Sequence, residues 1–176
     1  MSTQRVHNQG AFVMQPCATP RVSLQQSVSS PSLDVWETVT RHAIEAERKG
    51  RSATALAGYR RALALARQLM DTPVPGRTED CVAALIVSWL NLADLQAARG
   101  DLARSAESLC HAHEAALSLY LDERRETALR HAALRHSRET RTALILHARR
   151  HGAHPLVTRT LGVSDLALMG AVSAAH

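Results

Sequence analysis

Two segments of the chain share one layout, in which a turn through glycine leads into a run of regularly spaced apolar residues. The first, KGRSATALAGYRRALALA, turns at Gly50, and the second, RGDLARSAESLCHAHEAAL, turns at Gly100. Apolar residues that recur every three or four positions lie on one face of an α-helix. Glycine readily takes the left-handed backbone conformation that ends helices. The layout therefore predicts consecutive helices joined by tight turns.

Composition favours the same structure. Hydrophobic residues make up 45% of the 176 residues and aromatic residues only 3%, and alanine and leucine carry most of the apolar share. Ala, Leu and Arg lose little side-chain freedom in a helix. We therefore predict an all-α fold, in a chain long enough for one domain with its own core.

The periodic runs place the helices along the chain. Asp34 is expected to cap a first helix that runs to Lys49, and Thr78 is expected to cap the third. Residues 1–31, rich in Ser, Gln and Pro, are predicted to form a disordered tail. Residues 153–176 are expected to form short helices or a flexible tail. The four intervening helices are expected at about 52–70, 79–99, 102–120 and 122–150.

The two segments resemble the tetratricopeptide (TPR) repeat, a helix pair of about 34 residues. Ala55-x3-Tyr59 followed by Ala62 matches the second half of that pattern, and Trp89-x2-Leu92-Ala93 matches its first half. The repeats would span about 36–69 and 86–119, separated by an insertion centred on 71–85. The second unit departs from the pattern at Ser105 and Leu109, and the first at Val39 and His42.

The resemblance implies antiparallel helix pairs in a right-handed α-solenoid over 32–152, with the helix at 122–150 as a cap. Because about three repeats are needed for a stable stack, a second copy of the chain can also cover the open face. TPR-like proteins bind a peptide or a helix in a groove lined by the first helix of each pair. Mapped onto this chain, that lining is Glu37, Thr40, Ile44, Glu47, Val87, Leu90, Asn91 and Asp94.

This comparison gives the leading functional hypothesis, which is a non-catalytic adaptor or chaperone-like protein of a bacterial type. Its partner would be a peptide or helix of another protein with apolar anchors and some positive charge. No phosphate-binding glycine loop, nucleophile elbow or CxxC pair is present in the sequence, so neither an enzyme nor a bound cofactor is expected.

A second hypothesis comes from the arginine-rich helix. Arg130, Arg135, Arg138 and Arg141 form a basic patch that could bind nucleic acid or an acidic partner. The formal net charge of +5 also favours an acidic partner. However, Lys49 is the only lysine, and such a strong arginine bias also fits a simple compositional preference. No aromatic residue interleaves the patch, which argues against stacking on single strands.

A third hypothesis concerns the CHAHE stretch, where Cys110 and His113 share a helix face and could hold a metal ion as part of a sensor. Packing is the favoured alternative, because free cysteine is commonly a small buried residue and the remaining ligands are not evident. The other two cysteines, Cys17 and Cys81, leave an odd number with no CxxC pair, which fits a reducing compartment. No segment approaches the roughly 18 consecutive apolar residues of a membrane span, so the expected location is cytoplasmic, with no membrane partner.

Overall fold

The computed structural model describes residues 32–174, and the secondary structure of that range is entirely helical. The prediction of an all-α fold is therefore confirmed, while the predicted tail over 1–31 lies outside the described residues. Six helices follow one another, and their bounds are α1 (Leu33–Arg48), α2 (Ser52–Asp71), α3 (Thr78–Ala98), α4 (Leu102–Leu121), α5 (Thr127–His151) and α6 (Pro155–Ala174).

The turns at Gly50 and Gly100 have the same geometry. Gly50 has φ +70°, its N–H donates to Glu47 over 2.8 Å, and the following N–H of Arg51 donates to Ala46 over 2.8 Å. Gly100 has φ +78° and repeats both hydrogen bonds, to Ala97 and Gln96, at 2.9 Å. These are Schellman motifs, in which a left-handed residue satisfies the last carbonyls of a helix. The shared layout seen in the sequence is thus a shared turn geometry.

Two helix starts differ from the sequence prediction. Ser32, rather than Asp34, caps α1, because its hydroxyl accepts the N–H of Val35 over 3.2 Å. Asp34 lies inside the first turn, where its charge favourably meets the positive end of the helix dipole. Thr78 is the first residue of α3 rather than its cap, and Arg77 occupies the cap position, where its side chain accepts no hydrogen bond from the first N–H groups of the helix.

Helices that are consecutive in the chain pack against each other, and helices two apart also touch in the pairs α1 with α3, α3 with α5, and α4 with α6. The start of α5 meets the start of α3 through Arg135 and Glu79, which lie 2.6 Å apart. The indole N–H of Trp36 in α1 donates to the Ser88 hydroxyl of α3 over 2.8 Å. No helix in the range 32–174 contacts one more than two places away.

Helices α1 and α2 approach each other closely where Gly58 faces Ala43. A Cβ placed on Gly58 would lie 2.7 Å from the Ala43 Cβ, a separation too short for two non-bonded carbon atoms. Glycine is therefore required at this crossing by the neighbouring Ala43 side chain and not by its own φ. Small residues let helix axes come together so that larger neighbours interdigitate.

Two buried clusters fill the space between the helices. The larger one draws on α1 to α5 and includes Tyr59, Leu69, Ile86 and Trp89. The smaller one joins α3 to α6 and comprises Ala93, Ala106, Leu109, Cys110, Leu144 and Val157. Leu90 packs against both clusters, so packed apolar side chains extend from α1 to α6.

The C-terminal part of the chain corrects the sequence prediction. Residues after Gly152 form one helix of 20 residues, where short helices or a flexible tail were expected. Val157 is buried at 1% exposure in a cluster shared with α4 and α5, so α6 packs onto the preceding helices and contacts mainly α4. α6 leaves Val163, Leu166 and Met169 exposed, and a homodimer that covers them stays a prediction.

α3 is a strongly apolar helix. By length and hydropathy it could cross a membrane, a point that the sequence expectation did not anticipate. The other helices bury 61% of its most apolar window of 18 residues. The core helix of a folded domain has these same properties, so the apolar character of α3 is accounted for by its central place between α2, α4 and α5.

Candidate interaction groove between α3 and α5

A groove runs between the C-terminal halves of α3 and α5, and we call it the α3–α5 groove. It encloses a cavity of about 210 Å³. Spacing of three and four residues brings its lining onto one face of each helix. Those residues are Leu90, Asp94 and Ala97 of α3, Ala143, Leu146, His147, Arg150 and His151 of α5, and Ser105 and Leu109 of α4.

Apolar side chains flank the groove as well as line it. Leu146 is 39% exposed, although leucine is a residue that folding usually buries. Val87, one turn before Leu90 on α3, is 36% exposed. A partner that covered both side chains would remove apolar surface from water, which contributes roughly 25 cal/mol per Å².

Asp94 brings negative charge to the groove. Partial burial raises the pKa of its carboxyl group, the neighbouring Glu47 raises that pKa further, and Arg150 lowers it. Within residues 32–174, Asp94 accepts no hydrogen bond from another side chain and forms no ion pair. Its carboxylate is therefore available to a donor from outside the chain.

Glu47 is held beside Asp94 by α2. The Tyr59 hydroxyl donates to a Glu47 carboxylate oxygen over 2.6 Å. The pKa of Tyr59 is raised by burial first, and then by this hydrogen bond and by the charges of Glu47 and Asp94. Helices α1, α2 and α3 thus each contribute one polar group to the same corner.

His147 is the buried polar side chain of the groove. It is 7% exposed, it lines the cavity, and it makes no hydrogen bond within the described range. Its ring centre lies 4.8 Å from that of His151. Burial lowers the pKa of His147, and His151 and His154 lower it further, so near pH 7 the ring is neutral with one donor and one acceptor nitrogen.

The predicted lining residues divide into two groups. Leu90 and Asp94 line the groove, with Val87 on the same helix face and Glu47 beside Asp94. The others lie elsewhere or inside the fold: Asn91 is half-buried, Thr40 is buried at 7% exposure, Ile44 packs against the larger core cluster, and Glu37 lies 4.0 Å from Arg77.

The α5 wall of the groove was missed at the sequence level. Leu146 and Arg150 stand four residues apart, as Leu90 and Asp94 do on α3. Extending the repeat comparison to the helix at 122–150, rather than treating that helix as a cap, would have found them.

The predicted basic patch is largely engaged in contacts inside the chain. Arg130 donates to the Tyr120 carbonyl over 2.9 Å. Arg135 pairs with Glu79, and Arg141 pairs with Asp165 of α6 at 2.6 Å. Arg138 is exposed and forms no ion pair among residues 32–174. These arginines therefore connect α5 to α3, α4 and α6.

The CHAHE stretch is built into helix packing. Cys110 is 1% exposed and lies in the smaller core cluster, where burial raises its thiol pKa. His113 is equally buried, and its Nδ1 lies 2.9 Å from the Thr140 hydroxyl of α5. Residues 32–174 contain no group of three or more His, Cys, Asp or Glu side chains placed to hold a metal ion.

Fold and groove together define the class of this molecule: over the described residues it is an all-α protein of six consecutive helices with a partly apolar, charged groove between α3 and α5. Residues 34–173 match the model of a family described as "Protein of unknown function (DUF2753)", and the chain belongs to that family. Comparisons with curated proteins and with solved structures gave no match.

Proposed function

We propose that this protein is a non-catalytic adaptor, or a chaperone-like protein, that binds a peptide or helix of another protein in the α3–α5 groove. The observation that carries the proposal is the groove itself, which combines exposed Leu146, the unpaired Asp94 carboxylate and the unpartnered His147 ring. Apolar anchors with a few placed polar groups are what peptide grooves use for affinity and orientation.

We also propose a TPR-like stack as the architecture behind the groove. The matched turns at Gly50 and Gly100, and contacts limited to first and second neighbours, support this arrangement. In such a stack α1, α3 and α5 form the layer that lines the groove. A solved structure with α5 and α6 in any relation other than that of a third helix pair would contradict it.

Partner capture tests the adaptor function. Tagged protein is incubated with nuclease-treated native lysate, and bound proteins are identified by mass spectrometry. The wild type is compared with Leu146→Ser, which removes an exposed groove anchor, and with Leu166→Ser, a matched control on the exposed face of α6.

We expect a specific protein that Leu146→Ser releases and Leu166→Ser retains, while circular dichroism shows both variants folded. A protein retained equally by both variants would exclude the groove as its binding surface. Release by Leu166→Ser alone would move the interaction surface to α6.

The alternative of nucleic-acid binding through α5 receives less support from the structure. Arg130, Arg135 and Arg141 are used in contacts within the chain, so binding phosphates would compete with those contacts. Phosphate binding would make affinity fall steeply with salt. Nuclease-sensitive binding with such a slope, abolished by Arg135→Gln with Arg138→Gln, would favour the alternative over the adaptor.

A further inference from the structure

We propose that the α3–α5 groove takes one basic side chain of the partner, an arginine or a lysine, between Asp94 and His147. The inference rests on the proposed function, because it names the residue that the partner contributes to that groove. The inference goes beyond the proposed function because it assigns recognition of that basic residue to two specific side chains, Asp94 and His147.

The size and lining of the groove suit a single long side chain. A cavity of about 210 Å³ is smaller than the roughly 300–1,000 Å³ of small-molecule sites. Leu90, Leu109 and Leu146 supply apolar walls. Arginine and lysine bury their aliphatic stems against such walls while the charged head reaches a polar group.

The charge of the groove favours a cation. Asp94 and Glu47 are neighbours, and Arg150 is the cation whose charge acts on Asp94. Arg48 also acts on the Tyr59 end of this corner, so what favours a cation is the carboxylate of Asp94, which lines the cavity and forms no ion pair among residues 32–174. A partner cation that paired with Asp94 would form a charge-assisted hydrogen bond, stronger than one between neutral groups.

His147 supplies the second contact. Its ring is more than nine-tenths buried, faces the cavity and lacks a partner within the described range. The groups around it are Asp94 of α3, Arg150 and His151 of α5, and His154 of the turn into α6. A neutral imidazole offers one lone pair, and a guanidinium with five N–H donors can meet that lone pair and the Asp94 carboxylate at once.

Selection from a random peptide library tests the inference. Displayed peptides of twelve residues are selected on the full chain, on Asp94→Asn, and on Glu107→Gln, an exposed α4 position that serves as the charge-matched control. We expect wild type and Glu107→Gln to enrich peptides with an arginine or lysine three or four positions from an aliphatic residue. Asp94→Asn should lose the basic enrichment.

Affinity measurements on one selected peptide sharpen the test. Replacing its arginine by the neutral isostere citrulline should weaken binding to the wild type about tenfold or more, and should have little effect on Asp94→Asn. His147→Phe, which keeps a ring of similar shape, should weaken the arginine peptide and leave the citrulline peptide nearly unchanged.

The outcomes separate the inference from the proposed function. Enriched peptides that require Leu146 but lack basic residues, or that carry acidic ones, would overturn the inference and leave the adaptor intact. If the enriched peptides ignored both Leu146 and Asp94, or if no peptide were enriched, the inference and the proposed function would fall together.

Discussion

The Tyr59 hydroxyl donates a hydrogen bond of 2.6 Å to Glu47, and this contact joins α2 to α1 where both face Asp94 of α3. Tyr59 is 2% exposed, so its ring belongs to the core while its polar end reaches the edge of the groove. One residue thus links core packing to the charge of the groove.

Tyr59→Phe should lower the free energy of unfolding by about 1.5–3 kcal/mol, the usual range for a hydrogen bond to a charged group. The ring and its packing remain, so the loss reports the hydroxyl alone. Urea unfolding measures it. In a double-mutant cycle with Glu47→Gln the two losses should not add; additive losses would mean that the contact contributes nothing.

Gly58→Ala should destabilise the protein by about 1–3 kcal/mol. Alanine normally gains up to about 1 kcal/mol over glycine within a helix, but the new Cβ would lie 2.7 Å from that of Ala43. Ala43→Gly in the same chain should restore part of the loss.

The control is Gly162→Ala in α6, where no atom lies within 4 Å of the new Cβ, and this change should be neutral or stabilising. Equal effects at the two glycines would contradict the close crossing of α1 and α2.

Stability should fall as the pH drops below 6.5, the ordinary histidine pKa. Burial lowers the pKa of His113 and of His147, so below pH 6.5 the unfolded chain binds protons that the folded chain does not. Each such histidine contributes up to about 1.4 kcal/mol per pH unit.

The measurement compares wild type with His113→Asn by urea unfolding between pH 7.5 and 5.5. The free energy of unfolding of the variant should fall less steeply with decreasing pH than that of the wild type. The difference in slope should be at most the contribution of one proton. The effects of groups common to both proteins cancel in this comparison. They include the effect of Asp94, whose raised pKa makes the folded state more stable as the pH falls. Identical slopes would show that His113 titrates alike in the folded and unfolded chain.

Cys81 and Cys110 should resist thiol reagents in the native protein. Both are buried, and burial also raises the pKa of Cys110, which reduces its reactive thiolate. In a Cys17→Ser background we expect almost no labelling by a disulfide reagent in buffer and two thiols after denaturation. Rapid native labelling of Cys110 would reopen its interpretation as a reactive or metal-binding residue.

Much of the helical frame could be predicted from local chemistry. Gly50 and Gly100 end their helices through short-range hydrogen bonds, which a few neighbouring residues determine. The α1 cap was misplaced because both Ser32 and Asp34 are good capping residues, and only backbone geometry separates them. α6 was underestimated because Gly162 looks like a break, although an open side of a helix tolerates glycine at modest cost.

Only the α3 side of the groove could be predicted from the sequence. Leu90 and Asp94 followed from the repeat comparison, since their spacing is local. Their α5 partners depend on how α5 lies along α3, which involves residues more than 50 positions apart. The ion pairs of the basic patch could not be predicted for the same reason, because Glu79 and Asp165 come from distant parts of the chain.

Contacts limited to near neighbours have a consequence for how the molecule opens. Nothing in the described range ties α1 to α6, so either end can unfold without the other. Local opening is therefore expected to cost least at the two outer helices and most at α3 and α4, whose amide hydrogens should exchange with solvent most slowly. The groove lies partly on α5, next to the outermost helix, so a ligand bound there would slow exchange in α5 and α6 before it affected α1.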